Sequence, residues 1–493
     1  MAVALIEAFR LSARREPGRQ SVIEVEAGRS RSRGEILGAA LRLAEWLDRE
    51  VSGHATVLLH GPGGAGYWAG LIAVLGSGRR LLPVGPDVTD ADRASLVDSH
   101  RVAAVVETDP TSCWSSPPEG LPRSVVDLDT TPWNGGRDTL DRGGRSSLLL
   151  RSSGTTGRPG VVLREAPAID RVASTLVQVL ELGEEDRVLA TIPMQHAYGI
   201  EHGVFAPMLA GASVAFKAGF DLMAGANALL EDTTVFPAVP VTLEAAARVG
   251  RRGTALRLAY TAGTRLPSGV REAFRAAWDV PVGDLYGMSE IGTITWGVDD
   301  DGSPVPGVSI GVIDPEDPSA TPRMRREGAG EIVVRSDAMF KGYLDRCDVE
   351  PDPGRRVDGH LRTGDLGEID ASGRVRITGR AKLQFDVGGL KVNPEDVERT
   401  LGGTPGVREV AVVPVDLTET VTRVMAVVVP EDDRDRTGLE TAVRDEARRL
   451  LPAHQRPRVI RFVSELPRSA TGKMLRGRLQ EAADLNEAVE RSR

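Results

Sequence analysis

Small hydroxylated and glycine residues follow an apolar run in "LLLRSSGTTGRPGVVL", Leu148 to Leu163. A loop of this composition can direct several backbone N–H groups and hydroxyls toward one anion, which is the chemistry of phosphate binding. A Walker A loop would continue with G-K-[ST], whereas here Gly160 follows Arg158-Pro159. Taken alone, the loop is equally compatible with an ordinary turn rich in serine and threonine.

Four further stretches carry residue types that suit a bound nucleotide. "DLYGMSEIG", Asp284 to Gly292, brings together an aromatic ring, a hydroxyl and a carboxylate, for base stacking, a phosphate contact and Mg²⁺. "LRTGDLGEID" predicts Asp365 in a turn, where its carboxylate can accept bonds from two ribose hydroxyls. "GRAKLQFDVGGLKVNPEDVE" begins at Gly379, and Lys473 follows a glycine in "LPRSATGKMLRGRL". Each stretch taken singly has a plain structural explanation: buried side chains, a surface turn, a linker or a solvated lysine.

A different pattern lies near the N-terminus. "GPGGAG", Gly61 to Gly66, satisfies the dinucleotide-binding pattern G-x-G-x-x-G between the strand-like "ATVLLH" and the helical "YWAGLIAVL". Asp87 follows at about the distance at which an acidic residue would bind a ribose. In a chain with 55 glycines, a turn between strand and helix also explains the pattern. A nicotinamide-dependent oxidoreductase is therefore a competing class.

The order of the motifs resembles, over nearly the whole chain, the superfamily of acyl-CoA synthetases, nonribosomal-peptide adenylation domains and luciferases. After the Ser/Thr/Gly loop come "PMQHAYG", "YTAGTRLP", "YGMSE", "RTGD", "GRAK" and a terminal "GK". The resemblance implies an α/β fold: a large N-terminal domain (1–379) of stacked α/β layers with a β-barrel portion, and a small mobile α+β domain (380–493). It also implies an AMP-forming enzyme that uses ATP and Mg²⁺. A carboxylate attacks the α-phosphate, pyrophosphate leaves, and the acyl-adenylate passes its acyl group to a nucleophile.

The resemblance further implies a role for each matching residue. Nucleotide binding is assigned to Ser152, Ser153, Gly154, Thr155, Thr156, Gly157, Gly263, Thr264, Asp284, Tyr286, Gly287, Ser289, Asp365 and Arg380. Residues 152–157 would hold the β- and γ-phosphates, while Tyr286 stacks on adenine and Asp284 accepts from its amino group. Asp365 would hold the ribose hydroxyls with support from Arg380.

The resemblance implies roles in catalysis and metal binding for other matching positions. Glu290, together with Thr155, would bind Mg²⁺. Lys473 would bridge the attacking carboxylate and the α-phosphate, where negative charge builds during the reaction. Lys382 stands where the family has a hinge residue about which the small domain rotates between the two steps.

The acid pocket is assigned to His196, Tyr198, Val239 and Gly287. A histidine in an apolar stretch is more often part of the core, but "PMQHAYG" matches the acyl-CoA synthetase branch, in which this histidine lines the pocket. His196 is therefore also a candidate catalytic residue. The amino-acid-activating branch has an Asp-containing segment here, to pair with the ammonium group of its substrate. Because this chain has "HAYGIEHG" instead, we expect an aryl or short aliphatic acid.

Two positions depart from the family pattern. Gly160 stands where the family usually has a lysine, whose exposed side chain contributes little, so we expect nucleotide binding to survive with a weaker affinity for ATP. Asp386 stands where many acyl-CoA ligases have a lysine on the acceptor side, beside Gly389 and Lys391. A carboxylate there repels the phosphates of coenzyme A and attracts an amine. We therefore expect a carrier-bound thiol or an amine to be a better acceptor than free coenzyme A.

Composition limits the other possibilities. The chain has 493 residues, of which 41% are hydrophobic and 27% charged, as expected for a globular protein of two or more domains. Its net charge of -9 argues against nucleic acid or anionic membrane as a partner. Cys113 and Cys347 lie far apart, and no apolar run reaches the roughly 18 residues of a membrane span. These features predict a cytoplasmic protein without a structural disulfide or zinc site.

Hydrophobic periodicity predicts the helices and strands that must position these residues. Apolar residues at Leu5, Ile6, Phe9 and Ala13 predict an amphipathic N-terminal helix. "ATVLLH", "RVAAVVE" and "SLLL" predict buried strands that alternate with helices in a parallel layer. The later stretches "GVSIGVI", "GEIVVRS" and "GRVRITGR" are β-rich, and "REVAVVPV", "TRVMAVVVP" and "GLETAVRDEARRLL" predict two strands and a helix of the small domain.

Two further alternatives stay open, the first within the same superfamily and the second a competing class. One is the activation of a small inorganic acid such as nitrite for N–N bond formation, which some members of the superfamily perform. The other is a catalytically degraded nucleotide sensor, against which the retained Lys473, Glu290 and Asp365 argue.

Overall fold

The structure is a computed structural model of the chain. It describes residues 3–86, 88–109, 120–128, 139–151, 161–217, 227, 232–250, 254–263, 266–298, 301–315, 323–345, 348–350, 356–387, 390–418, 421–431, 436–468 and 474–479.

The described α-helices are α1 Ala4–Arg15, α2 Arg33–Glu50, α3 Ala65–Gly76, α4 Asp90–Ser99, α5 Ala166–Val179, α6 Ala197–Ile200, α7 Ala206–Ala210, α8 Pro240–Ala247, α9 Ser268–Trp278, α10 Pro394–Leu401 and α11 Arg436–Leu450. The strands are β1 Gln20–Glu24, β2 Arg29–Ser32, β3 Thr56–His60, β4 Arg80–Val84, β5 Val102–Glu107, β6 Arg123–Val125, β7 Ser147–Arg151, β8 Val161–Glu165, β9 Arg187–Ala190, β10 Ser213–Phe216, β11 Val235–Ala238, β12 Leu258–Ala262, β13 Val282–Met288, β14 Gly292–Gly297, β15 Ser303–Pro304, β16 Val308–Ile313, β17 Gly328–Ser336, β18 Gly342–Asp345, β19 Asp348–Glu350, β20 Arg356–Val357, β21 His360–Ile369, β22 Val375–Arg380, β23 Phe385–Val387, β24 Leu390–Val392, β25 Val407–Thr418, β26 Val421–Pro430 and β27 Val459–Phe462.

Internal contacts group the chain into two compact units. The first unit consists of Met1–Ser309 and Arg335–Gly354, and the second of Ile310–Val334 and Arg355–Arg493. The chain therefore enters the second unit, returns to the first, and enters the second again. The predicted boundary near residues 379 and 380, together with the rotation of the smaller part, stays a prediction.

The first unit is built on two sheets flanked by helices. One sheet has nine strands in the order β15-β14-β13-β12-β11-β9-β10-β1-β2, and the other has eight in the order β19-β18-β8-β7-β4-β3-β5-β6. The predicted strands "ATVLLH", "RVAAVVE" and "SLLL" are β3, β5 and β7 of the second of these sheets. All four apolar positions predicted for the N-terminal helix are buried in α1. Hydrophobic periodicity therefore predicted the buried face of α1 and the strands β3, β5 and β7 correctly.

Three neighbouring strands of the nine-stranded sheet run in the same direction. β11 pairs with β12, and β12 pairs with β13, with Ala238 opposite Thr261 and Thr261 opposite Asp284. The segments that follow β11 and β12 consequently meet the C-terminal half of β13 at one edge of the sheet. Ligands of open parallel sheets bind at this kind of edge.

The second unit contains three smaller sheets. A five-stranded sheet has the order β16-β17-β21-β20, with β22 paired to β21. The described strands of this sheet do not close on themselves, and the predicted β-barrel portion stays a prediction. β23 pairs with β24, and β25, β26 and β27 form a three-stranded sheet. The predicted helix "GLETAVRDEARRLL" is found as α11, whose Leu439, Val443 and Ala447 are buried.

Among the described residues, no helix combines the length and the apolar character that crossing a membrane requires.

Candidate functional site

The segment 284–290 carries most of those predicted nucleotide-binding residues of the first unit that the structure describes. Asp284 and Tyr286 lie on β13, and both side chains are partly exposed. Asp284 Oδ2 accepts a hydrogen bond from Arg271 Nη2 at 3.2 Å. Arg271 is buried and also donates to the carbonyl of Val282 at 2.6 Å. The adenine-binding carboxylate predicted at Asp284 is thus anchored by an arginine of α9.

Two glycines of the predicted site have different surroundings. Gly263, directly after β12, has φ +85°, and among the described residues no heavy atom lies within 4 Å of a Cβ built there. A Cβ on Gly287 would lie 2.5 Å from the carbonyl oxygen of Gly292 on the neighbouring strand β14. Gly287 therefore allows the close approach of two strands, whereas Gly263 supplies a positive φ that other residues rarely adopt.

Glu290 is the predicted Mg²⁺ ligand. It is 8% exposed, and its Oε1 accepts a hydrogen bond of 2.5 Å from the hydroxyl of Tyr343. Its carbonyl oxygen accepts from the backbone N–H of Phe340 at 2.7 Å. No cluster of three or more His, Cys, Asp or Glu side chains that could hold a metal occurs in the described part of the chain. A single carboxylate fits Mg²⁺, which proteins commonly bind through one or two carboxylates plus the phosphates of the substrate.

The predicted acid-pocket segment begins at His196. This partly exposed residue is the N-cap of α6, and its carbonyl accepts from the N–H of Ile200 at 2.9 Å. The hydroxyl of Tyr198 donates to the carbonyl of Ala238 at 3.0 Å, which places Tyr198 beside Val239 at the end of β11. The structure therefore brings Tyr198 and Val239 to the same sheet edge as Gly263 and β13.

A π-helical turn, Glu201–Phe205, continues directly from α6. Turns of this type are rare and are frequently found at functional sites. Its second residue, His202, is 2% exposed, and Nδ1 lies 2.7 Å from the hydroxyl of Tyr260. Burial lowers the pKa of His202 from 6.5 to about 3. Tyr198 packs edge-on against this neutral imidazole, with 4.7 Å between the ring centroids.

A buried ion pair joins this turn to β8. Arg164 Nη1 donates to Glu201 Oε1 at 2.6 Å, and the two side chains are 0% and 5% exposed. Burial raises the pKa of the Glu201 carboxyl, and the positive charge of Arg164 opposes that shift. Arg164 also donates from Nε to the carbonyl of Ser289 at 2.8 Å and from Nη2 to the carbonyl of Met288 at 3.3 Å.

In the second unit, Asp365 and Arg380 form a pair. Arg380 Nε lies 3.0 Å from Asp365 Oδ1, and the two residues are opposite each other in β21 and β22. The expected turn at Asp365 was wrong, because the residue lies within β21. The departure from regular strand geometry is local: Gly364 has φ +75°, and the pairing register shifts between Leu366 and Gly367. The contact of Asp365 and Arg380 with ribose stays a prediction.

Some predicted residues lie outside the described residues: Ser152, Ser153, Gly154, Thr155, Thr156, Gly157, Gly160, Thr264, Gly389 and Lys473, together with Asp87, Cys113 and Cys347. Lys382, the predicted hinge residue, belongs to a short 3₁₀ turn, Ala381–Leu383, and Asp386 pairs in register with Lys391 across β23 and β24. The side chains of these three residues are also outside the described part.

The glycine-rich turn Gly61–Gly66 is filled by the protein itself. A Cβ on Gly66 would lie 2.1 Å from the carbonyl oxygen of Thr108. The backbone N–H of Ala65, at the start of α3, donates to the carboxylate of Glu24 at 3.2 Å. A dinucleotide-binding turn offers such N–H groups to a pyrophosphate, and here a side-chain anion already accepts one. The geometry gives no support to the oxidoreductase alternative.

Four residues of this arrangement were not predicted from the sequence: Arg164, Glu201, Tyr343 and Arg271. One signal was available, because Arg164 directly follows the apolar run "VVL" and Glu201 lies in the quoted "HAYGIEHG". Arginine and glutamate are rarely fully buried unless they are paired. Nothing local marks Tyr343, which lies 53 residues from its partner Glu290.

The fold and this arrangement define an α/β protein whose polar groups gather at the carboxyl edge of a parallel sheet. The model for AMP-binding enzymes matches residues 9–344, and the model for the AMP-binding enzyme C-terminal domain matches residues 396–473. The chain therefore belongs to the family of AMP-binding enzymes.

Known proteins similar to this chain include two ligases and a solved structure. Indoleacetate–CoA ligase of Aromatoleum aromaticum is 30% identical over 400 residues, which are 78% of this chain and 74% of the relative. Sulfoacetate–CoA ligase of Cupriavidus necator is 30% identical over 348 residues, 68% of this chain and 66% of the relative. The crystal structure of ATP-bound MatB from Rhodopseudomonas palustris has a TM-score of 0.83 at 24% identity, with 98% of this chain and 99% of that chain covered.

These similarities confirm the predicted α/β fold with a large N-terminal and a small C-terminal part, and the prediction of an AMP-forming, acid-activating enzyme. ATP binding is confirmed for the family, and Mg²⁺ stays a prediction. Neither the nitrite alternative nor the nicotinamide alternative gains support.

Proposed function

We propose that this enzyme converts an aryl or short aliphatic carboxylic acid and ATP into an acyl-adenylate, and that it transfers the acyl group to a thiol or an amine. The observation that carries the proposal is the meeting of the acid-pocket segment with the nucleotide segment at one sheet edge. Tyr198 reaches the end of β11, Gly263 follows β12, and Asp284 to Glu290 extend from β13. A carboxylate bound beside Tyr198 would thus lie near the phosphates that Ser289 and Glu290 are predicted to contact.

The class of acid follows from the charges in the pocket segment. Glu201 is the acidic residue of "HAYGIEHG", and it is buried against Arg164. It is therefore already paired and does not offer its charge to the ammonium group of an α-amino acid. His202 is neutral at physiological pH because its pKa is about 3. The names of the two ligases above, which specify indoleacetate and sulfoacetate, support an aryl or short aliphatic acid.

The acid class is tested by acid-dependent release of pyrophosphate from ATP. Phenylacetate and phenylalanine are a matched pair, since they share a ring and a carboxylate and differ in the α-ammonium group and one carbon. A panel of benzoates, aryl acetates, short aliphatic acids, α-amino acids and nitrite is assayed without an acceptor. We expect release with aryl or short aliphatic acids and none with amino acids. Best activity with an amino acid or with nitrite would contradict the proposal.

The acceptor is the finer part of the proposal. The names of the relatives support coenzyme A, whereas a carboxylate at Asp386 disfavours its phosphate charges and supports a carrier-bound thiol or an amine. Product formation from the best acid is compared with coenzyme A, a phosphopantetheinyl carrier protein and small amines, in the wild type and in Asp386→Lys. We expect free coenzyme A to be the poorest acceptor for the wild type and to improve in the variant. Efficient use of coenzyme A that the substitution leaves unchanged would contradict this preference.

The two-step mechanism is tested at Lys473. This lysine would stabilise the charge that builds as the carboxylate approaches the α-phosphate, so Lys473→Ala should lower the rate of adenylate formation by about 10²–10³-fold or more. Acyl transfer from a preformed adenylate should change far less. Equal losses in the two half-reactions would show that Lys473 does not serve the first step alone.

A further inference from the structure

Arg164 and Glu201 form a buried ion pair that stability alone does not explain. Arg164 is 0% exposed and Glu201 is 5% exposed. Removing two charges from water costs several kcal/mol for each ion, and apolar residues of similar volume are often as stabilising as such a pair or more so. A guanidinium at this place therefore points to a task beyond stability.

The guanidinium of Arg164 contacts the backbone that leads to the predicted Mg²⁺ ligand. Nε donates to the Ser289 carbonyl and Nη2 to the Met288 carbonyl, at 2.8 and 3.3 Å, while Nη1 donates to Glu201. An arginine presents its donors in a fixed planar fork, so three acceptors in different directions fix its orientation. The same bonds fix the two peptide groups that precede Glu290.

The same segment is held from a second side. Tyr343 donates to the carboxylate of Glu290, and the N–H of Phe340 donates to its carbonyl. Tyr343 lies on β18, opposite Val162 of β8. Two neighbouring strands therefore hold the Ser289–Glu290 peptide, Arg164 from β8 through the carbonyls and Tyr343 from β18 through the carboxylate.

We propose that Arg164 is a positioning residue for adenylation, which sets the place of Ser289 and Glu290 relative to the bound ATP. Glu201 orients its guanidinium and is the first residue of the π-helical turn, three residues after Tyr198. The pair thus also ties the acid-pocket segment to the nucleotide segment. The inference rests on the proposed function for the identity of the ligand, ATP.

The test is the dissociation constant of Mg·ATP, measured by calorimetry without acid or acceptor. Arg164→Lys keeps a positive charge for Glu201 but loses the planar fork that reaches two carbonyls. Two hydrogen bonds of ordinary net strength correspond to a weakening of roughly tenfold to a hundredfold. We expect an affinity loss in this range and a rise in the KM for ATP that exceeds the change in the KM for the acid.

A matched control variant is Arg79→Lys. Arg79 is also buried, at 3% exposure, and donates to the carbonyls of Leu47 and Val51 and to the carboxylate of Asp48. It lies outside the predicted site. We expect this variant to lose thermal stability without any change in the affinity for Mg·ATP. Equal affinities in Arg164→Lys and Arg79→Lys would overturn the proposal.

A double variant, Arg164→Met with Glu201→Met, covers the case in which Arg164→Lys does not fold. Replacing both charges by apolar side chains avoids leaving one buried charge unpaired, so we expect a folded protein. Weak binding of Mg·ATP by this folded variant supports the proposal, and wild-type binding overturns it. Because the measurement needs no acid, failure of the acid panel with the wild type would defeat the proposed function separately.

Discussion

The glycine-rich turn 61–66 and the segment 284–290 each lie at the carboxyl end of a strand that runs parallel to a neighbour. In the first, a Cβ on Gly63 would lie 2.3 Å from the ring of Phe216. Beside the second, Gly263 faces no described atom within 4 Å of its Cβ position. A missing side chain thus makes room for a ring of the protein at Gly63, whereas at Gly263 it permits a positive φ. Glycine spacing alone does not distinguish these uses, because the atoms opposite the glycines come from distant parts of the chain.

The largest effect is expected at Glu290. Glu290→Gln keeps the shape of the side chain and an oxygen that can accept from Tyr343, but it removes the charge offered to Mg²⁺. We expect adenylate formation to fall by about 10²-fold or more, since loss of one charge-stabilising group typically costs that much. The melting temperature should hardly change. A fully active variant would show that the segment 284–290 does not hold the metal. The contrast between this segment and the turn 61–66 would then no longer hold.

The next effect is expected in the turn 61–66. Gly66→Ala places a methyl group against the backbone carbonyl of Thr108, and overpacking of this kind costs about 2–3 kcal/mol of the free energy of unfolding. The KM for ATP should be unchanged in the folded protein. Gly269→Ala is the matched control, because this helical glycine has no described heavy atom within 4 Å of its Cβ position. Weaker ATP binding by Gly66→Ala, with wild-type stability, would indicate that the turn 61–66 is a ligand site after all.

A smaller effect is expected at His202, the buried histidine of the π-helical turn. Because the pKa of His202 is about 3 in the folded protein against 6.5 normally, its contribution to stability is present above pH 6.5 and is lost as the pH falls toward 3. At pH 5 the loss is about 2 kcal/mol. The measurement is the free energy of unfolding from pH 7.5 to 4.5 for wild type and His202→Gln. His60, with a pKa of about 4, titrates in both proteins and cancels in the difference. Parallel curves would show that His202 is not neutral in the fold.

The smallest effect is expected at Tyr343. Tyr343→Phe removes the hydroxyl that donates to Glu290 and leaves the three bonds of Arg164 in place. A single hydrogen bond of ordinary net strength corresponds to a change of about threefold to tenfold. We expect the Mg²⁺ concentration for half-maximal pyrophosphate release to rise by this factor. A loss as large as that of Glu290→Gln would mean that β18, rather than β8, mainly positions the segment.

Sequence reasoning found what depends on local pattern. The helix face with Leu5 and Phe9 and the strands at 56–60 and 102–107 follow from hydrophobic periodicity, which is a property of consecutive residues. The residues of 284–290 were proposed because their types suggest chemistry, and their role stays a prediction. Arg164, however, contacts Ser289 at a separation of 125 residues. Such contacts depend on which strands become neighbours, and a single sequence does not encode that order in any local signal.

Strand β8 pairs with a strand on each side: β7, which precedes it in the chain, and β18, which follows much later in the chain. During synthesis β18 begins roughly 180 residues after β8, so at about 5–20 residues per second it emerges from the ribosome about 10–40 s later. Throughout that interval β8 has one bare edge, and bare edges can add strands from other nascent chains. Expression conditions that slow elongation between these strands should therefore favour aggregation, and binding of a chaperone to the nascent chain should matter most before residue 345 leaves the exit tunnel.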